Sequence, residues 1–296
     1  MNKKNLWSIF GGICLACLCA SAVTVCPVES CKPGAHDMSN SLANDPAHVS
    51  ALAEGVDSTK TTIDSSTQIP TGAQILIDVY PDHVKGFKDG SIVLSDGSLM
   101  IYDDERKKSF VDKLDDADLE DMFAFTYDRS SWTPGFQQDA GRSRCEAFFK
   151  KMYGASEAQV RKNLVSVQWF GQKVLFTKVN HAADSLRAVA AELAKYPELK
   201  RYLYSSGSFY WRKVRGANRQ SAHSYGMTID IAVKYSDYWL WKNPGKKETD
   251  KIIYANRIPH QLVEIFEKHG FIWGGRWYHY DTMHFEFRPE ILKANP

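Results

Sequence analysis

From Gly226 to Ile231 the chain alternates residue by residue. Gly226, Thr228 and Asp230 fall on one side of an extended segment, and Met227, Ile229 and Ile231 fall on the other. The second set is a core face. The first is small and polar and ends in a carboxylate, so the segment fits a strand packed on one side only. His223 stands at its entrance, where the chain can curl back toward Asp230. An imidazole and a carboxylate converging there are candidate ligands of a divalent metal. Taken alone, the segment is better explained by a loop histidine and a capping aspartate.

A second segment changes that balance. Within residues 271–287, His284 opens a strand whose Phe285 and Phe287 lie on the opposite face, and Asp281 sits three residues before it. His223, Asp230 and His284 then make a set of three ligands that leaves a fourth position for water, the arrangement of a catalytic zinc. Asp281 is the candidate general base, taking a proton from water and passing it to the leaving amine. Glu286 shares the face of His284 and is expected to support the site, not to ligate.

The pattern His223-x-x-Gly226-x-Thr228-x-Asp230, followed by Asp281-x-x-His284-Phe285-Glu286, resembles the M15 family of zinc peptidases. Within it, the likeness is to the VanY-like branch. These are D-alanyl-D-alanine carboxypeptidases and L-alanyl-D-glutamate endopeptidases, which cut peptidoglycan stem peptides. The resemblance covers about residues 202–289. It implies an α+β fold of the hedgehog/DD-peptidase type, an antiparallel sheet with flanking helices. It also implies Zn2+ held by His223, Asp230 and His284, with Asp281 as acid and base. The family's substrate-binding arginine falls nearest Arg212, expected to act on the scissile carbonyl, with Arg219 as second choice. Ser221, His279 and Trp277 are the further expected substrate contacts. Two positions depart from the usual pattern: Thr228 stands where alanine is common, and Asp281 where many relatives have glutamate.

The remaining chain sets the context. Lys3 and Lys4, an apolar stretch over residues 6–18 and Ala20-Ser21-Ala22 read as an export signal over residues 1–22. An uncleaved anchor helix and lipid attachment at Cys17 are the alternatives. All three place the rest of the chain outside the cytoplasm, secreted or in the cell envelope, and no later segment is apolar enough to span a bilayer. Residues 23–71, rich in Ser, Thr, Asp and Ala, read as a linker. Cys26 and Cys31 could pair in an oxidising compartment, and Cys145 reads as a small buried residue.

Residues 72–199 are expected to form an α+β helix-and-hairpin region, and residues 200–296 the zinc-peptidase domain that the resemblance implies. Hairpins are expected over residues 91–102, around Asp96-Gly97, and over 165–177, around Gly171-Gln172. Helices are expected over residues 117–125, 143–153, 156–164, 182–193 and 259–268. Lys+Arg total 37 against 35 Asp+Glu, and Lys3 and Lys4 account for the surplus. A balanced mature chain argues against nucleic acid as a partner. The expected partner is the peptidoglycan stem peptide, cut by a carboxypeptidase. The alternatives are an endopeptidase and a non-catalytic wall-binding module on the same fold.

Overall fold

The computed structural model describes residues 68–296. The segment read as an export signal, the expected linker up to residue 67, and Cys26 and Cys31 lie outside the described residues. Along the chain run α1 (Thr71–Val79), β1 (Val84–Lys88), β2 (Ser91–Leu94), β3 (Leu99–Ile101), α2 (Phe110–Asp115), α3 (Glu146–Tyr153) and α4 (Glu157–Lys162). There follow β4 (Leu164–Trp169), β5 (Gln172–Thr177), α5 (Ala182–Leu193), β6 (Ser205–Gly207), β7 (Thr228–Ile231) and α6 (Trp239–Lys242). The chain closes with α7 (His260–Lys268), β8 (Phe271–Trp273), β9 (His284–Phe287) and α8 (Pro289–Ala294). The fold is α+β, with antiparallel sheets ordered β1-β2-β3, β4-β5 and β6-β7-β9-β8.

Both expected hairpins form, the second with its turn at Phe170-Gly171, one residue before the expected Gly171-Gln172, since Gln172 already pairs with Trp169 in the ladder; the turns follow from local chemistry. Asp96 accepts from the Ser98 amide at 3.0 Å, and Gly97 takes φ +81°. Phe170 and Gly171 both have positive φ, which matches the twist of the flanking β4 and β5. A further Asp-Gly pair, Asp89-Gly90, also adopts positive φ at both residues and joins β1 to β2. The sequence reading did not include that hairpin, although its turn signal is the same.

The helix expected over residues 117–125 is reduced to one 3-10 turn, Asp121–Phe123. The reason is competition from side chains. Asp118 accepts from the Asp121 amide at 2.9 Å, and Asp121 accepts from the Asp118 amide at 3.2 Å. Lys108 is drawn between the two carboxylates, at 3.0 and 2.6 Å. Short acidic side chains that bond nearby amides offer the backbone an alternative to helix.

The four-stranded sheet packs its apolar face against α7. Ile229 and Phe285 are 0% exposed, and the Phe266 ring of α7 stacks on Phe285 at 3.9 Å. Helix α5 lays Leu186, Val189 and Leu193 into the same core, at the three- and four-residue spacing of a one-sided helix. Cys145 is buried there with a free thiol, whose pKa burial pushes up. Among the described residues no helix is long and apolar enough to cross a membrane.

Candidate metal centre

Strands β7 and β9 are antiparallel, with Asp230 opposite His284, Ile229 opposite Phe285 and Thr228 opposite Glu286. Side chains directly opposite each other share a face. The register therefore puts Phe285 with Ile229 on the core side, and it puts His284 and Glu286 beside Asp230 and Thr228 on the other. His223 arrives from the 3-10 turn Ala222–Tyr225, which Gly226 ends at φ +66° in the left-handed region. The result is a cluster of His223, Asp230 and His284 whose potential ligand atoms all lie within 4.8 Å of one another.

The ring nitrogens are sorted by their partners. His223 Nδ1 lies 2.7 Å from the Ser208 carbonyl and 2.8 Å from the Thr228 hydroxyl, which leaves Nε2 facing Asp230 Oδ2 at 3.3 Å. The departure at Thr228 thus places a hydroxyl against a site histidine. His284 Nε2 lies 3.3 Å from Glu286 Oε2, which leaves Nδ1 facing Asp230 Oδ1 at 3.0 Å. Each imidazole has one nitrogen held by the surrounding protein and the other turned to the shared carboxylate. Outer partners of this kind fix the tautomer and ring orientation of metal-binding histidines.

The charges follow from burial and neighbours. Burial would raise the Asp230 carboxyl, but the two imidazoles outweigh it and hold it well below the usual carboxylate range. Burial opposes a charged His284, yet hydrogen bonds to Asp230 and Glu286 push its pKa up to about 10. Glu286 is 0% exposed; Arg144, His284 and Arg288 overcome its burial and bring it down to about 2. Two imidazoles around one carboxylate, each clamped from behind, converge on one point with the donor set that a divalent cation takes in place of the protons.

Asp281 is half-buried, and its Oδ1, itself buried, has no hydrogen-bond partner among the described residues. Burial, reinforced by the charge of Asp230, pushes its carboxyl up to about 6. Its loop is set by the adjacent glycines. The Asp281 amide donates to the Gly274 carbonyl at 2.9 Å, and a Cβ on Gly274 would stand 2.5 Å from the Asp281 carbonyl oxygen. A Cβ on Gly275 would meet the Trp273 ring at 2.1 Å. The Trp-Gly-Gly run is thus required by close approach.

The cluster and Asp281 line a cleft of about 570 Å³. Arg212, Lys213, Arg215 and Arg219 border it from the 212–219 loop, and Arg142 and Arg144 from far upstream. The Arg212 side chain is exposed, while its backbone is pinned by Ser224 and Ser221 at 2.9 and 3.0 Å. Arg219 is drawn onto Asp115, with Glu248 4.0 Å away. Ser221 lines the cleft at 4% exposure. Trp277 also lines it, its indole N–H donating to the Ala140 carbonyl at 2.6 Å and its ring 5.4 Å from that of His284. His279 is buried on the cleft wall, bonded to Asp139.

Asp139, Arg142 and Arg144 escaped the sequence reading. Nothing in the run Asp139-Ala140-Gly141-Arg142-Ser143-Arg144 marks it as belonging to a site formed some 140 residues later. Only the buried ion pairs do so, Arg144 with Glu286 at 3.5 Å and Asp139 with His279 at 2.6 Å.

Residues 215–287 match the family described as D-alanyl-D-alanine carboxypeptidase, of the M15 peptidases. The match takes in His223, Asp230, Asp281 and His284 and stops short of Arg212. The M15 resemblance is upheld over that stretch. No curated protein matches the chain.

Proposed function

We propose that this protein is an exported, zinc-dependent peptidase that trims peptidoglycan stem peptides, in the manner of the VanY-like D-alanyl-D-alanine carboxypeptidases. The observation that carries the reading is the Asp230–His284 cross-strand pair joined by His223, each imidazole clamped on its far side. His223 through Nε2, Asp230, and His284 through Nδ1 are the residues that would hold the metal. Two imidazoles and one carboxylate suit zinc and leave room for water and substrate. When bound there, zinc supplies Lewis acidity toward the scissile carbonyl and makes the attacking water more acidic.

The chain's own groups do the rest. Asp281, with one oxygen buried and unpartnered among the described residues, takes a proton from the water as its oxygen adds to the carbonyl carbon. The carboxyl holds that proton and delivers it to the amine nitrogen as the C–N bond breaks. Arg212 reaches the cleft from an anchored backbone and would hold the developing oxyanion or the terminal carboxylate. Arg219, spent on Asp115, would contribute positive potential more than a direct grip. Ser221, His279 and Trp277 shape the wall that the peptide meets.

The test is digestion of a purified stem pentapeptide ending in D-alanyl-D-alanine, with zinc and with a chelator, read by mass spectrometry. Loss of one alanine only in the presence of metal is expected. Release of a longer peptide would turn the assignment to an endopeptidase. Cleavage that survives complete metal removal refutes the mechanism. Wall binding without any cleavage by the zinc-loaded protein would make it a binding module.

A further inference from the structure

His279 is 1% exposed, lines the cleft, and is latched twice by one carboxylate. Asp139 Oδ1 accepts the backbone N–H of His279 at 3.0 Å, and Asp139 Oδ2 lies 2.6 Å from the ring Nδ1. Asp139 is itself 0% exposed. Burial opposes its charge, but the Arg142 cation and the His279 hydrogen bonds outweigh that cost and keep the carboxyl below its ordinary range. Arg142 donates to Asp139 at 3.1 Å and forks onto Glu248 at 2.9 and 2.6 Å. Glu248 Oε2 stands 3.4 Å from the same His279 Nδ1.

The cluster Asp139, Glu248 and His279 is compact enough to hold a cation. Arg142 already stands between its two carboxylates, so the positive charge is supplied by the protein itself. What remains is the imidazole. An ionised carboxylate can only accept, so Nδ1 carries the proton. In the neutral ring Nε2 then carries the lone pair, and it is buried without a hydrogen-bond partner among the described residues. The rings packed around it, Phe110, Trp239 and Tyr278 at 5.7, 4.8 and 5.0 Å, offer aromatic surface. A buried acceptor left unmatched by the protein is costly, and it is satisfied when a ligand brings the missing donor.

We propose that Asp139 is a positioning residue that locks His279 in its Nδ1–H tautomer, so that Nε2 accepts a hydrogen bond from an N–H of the peptide in the cleft. The peptide ligand rests on the peptidase reading, whereas the tautomer lock stands on the geometry of Asp139 and His279 alone. The class of ligand recognised is a peptide presenting an unsubstituted amide or ammonium N–H at this wall. The arrangement also gives the region before residue 200 a part in specificity, through a carboxylate that never touches substrate.

The experiment uses the zinc-loaded chain labelled with 15N-histidine, read by long-range proton–nitrogen correlation of the imidazoles. At pH 7.5 His279 should show a protonated Nδ1 and a bare Nε2, and the Nε2 resonance should move on addition of the stem tetrapeptide product. In Asp139→Asn the amide can donate to Nδ1, which sends the ring proton to Nε2. That variant should raise KM for the stem pentapeptide about tenfold while kcat changes less than about threefold, the loss of one hydrogen bond to substrate. His279→Gln keeps the backbone N–H that Asp139 holds and should raise KM by a similar factor, so the claim stays testable if the asparagine variant folds poorly. A protonated Nε2 in the unmutated chain overturns the lock. KM within twofold of the parent in both variants overturns the substrate contact. Should the parent cleave no stem peptide at all, the peptidase reading fails, and the tautomer spectrum still upholds or overturns the lock.

Discussion

Replacing Glu286 with glutamine tests how the site is held, since it changes charge and one donor while keeping shape. Glu286 lies 3.3 Å from His284 Nε2, 2.9 Å from Arg288 Nη1 and 3.5 Å from Arg144 Nη1. Arg288 keeps a second carboxylate, Glu290, which in turn accepts from Tyr80 of α1 at 2.5 Å. Among the described residues Arg144 keeps only the Gly141 carbonyl at 3.0 Å. The substitution therefore leaves one guanidinium, about nine-tenths buried at the cleft wall, without a counter-charge. Removing one partner of a buried ion pair costs about 3–5 kcal/mol, and the retained amide oxygen places this case near ~3 kcal/mol. For a domain of this size that is a fall in Tm of about 6–12 °C.

The amide also presents an N–H where His284 Nε2 had an acceptor, which pushes the ring proton to Nδ1, the nitrogen turned toward Asp230. Metal affinity should drop about 10- to 100-fold, the range for loss of a partner behind a metal-binding histidine. Thermal unfolding of the metal-free protein and chelator competition for zinc measure the two effects separately. A folded Glu286→Gln chain that binds zinc within threefold of the parent would refute the claim that Glu286 orients His284.

Chelation should abolish stem-peptide hydrolysis and lower Tm, and added zinc should restore both, because an ion that binds only the native state stabilises it by mass action. A Tm unmoved by zinc at saturating concentration would count against the His223–Asp230–His284 site. The depressed carboxyls of Asp139 and Glu248 make stability acid-sensitive. Their contribution is complete above the unfolded carboxylate values of about 4 and is lost as pH falls through the lower folded values, so Tm should decline below about pH 4. In Asp139→Asn that decline should be shallower, which melts across pH 3 to 6 would check on an order-of-magnitude basis of about one protonation fewer. Gly226→Ala forces a side chain into φ +66°, with its Cβ 2.3 Å from Leu164 Cδ2. It should cost about 1–3 kcal/mol and weaken zinc binding by moving His223. An alanine variant as stable as the parent would show that the turn is not under that constraint.

Much of the site could be read from residues close in the chain. Period-two alternation separated Asp230 from Ile229, and the three-residue interval between Asp281 and His284 placed a loop acid beside a strand histidine. The same local logic found both expected hairpins. It failed over residues 117–125, where helical composition lost to Asp118 and Asp121 bonding each other's amides and drawing in Lys108. That outcome depends on a lysine brought in from outside the segment.

The sequence alone determined which side chains could be ligands, which face of the site strands was apolar and that Asp96-Gly97 makes a tight turn, because these depend on interactions between near neighbours. It could not determine that Thr228 pairs with Glu286 and Asp230 with His284, since strand register is settled between distant segments by the shared core of Ile229, Phe285 and Phe266. Nor could it place Asp139, Arg142 and Arg144 at the cleft. Buried charges choose partners by proximity after packing, and Asp139, whose nearest neighbour of opposite charge in the chain is Arg142, gives no sign there of which imidazole it will hold.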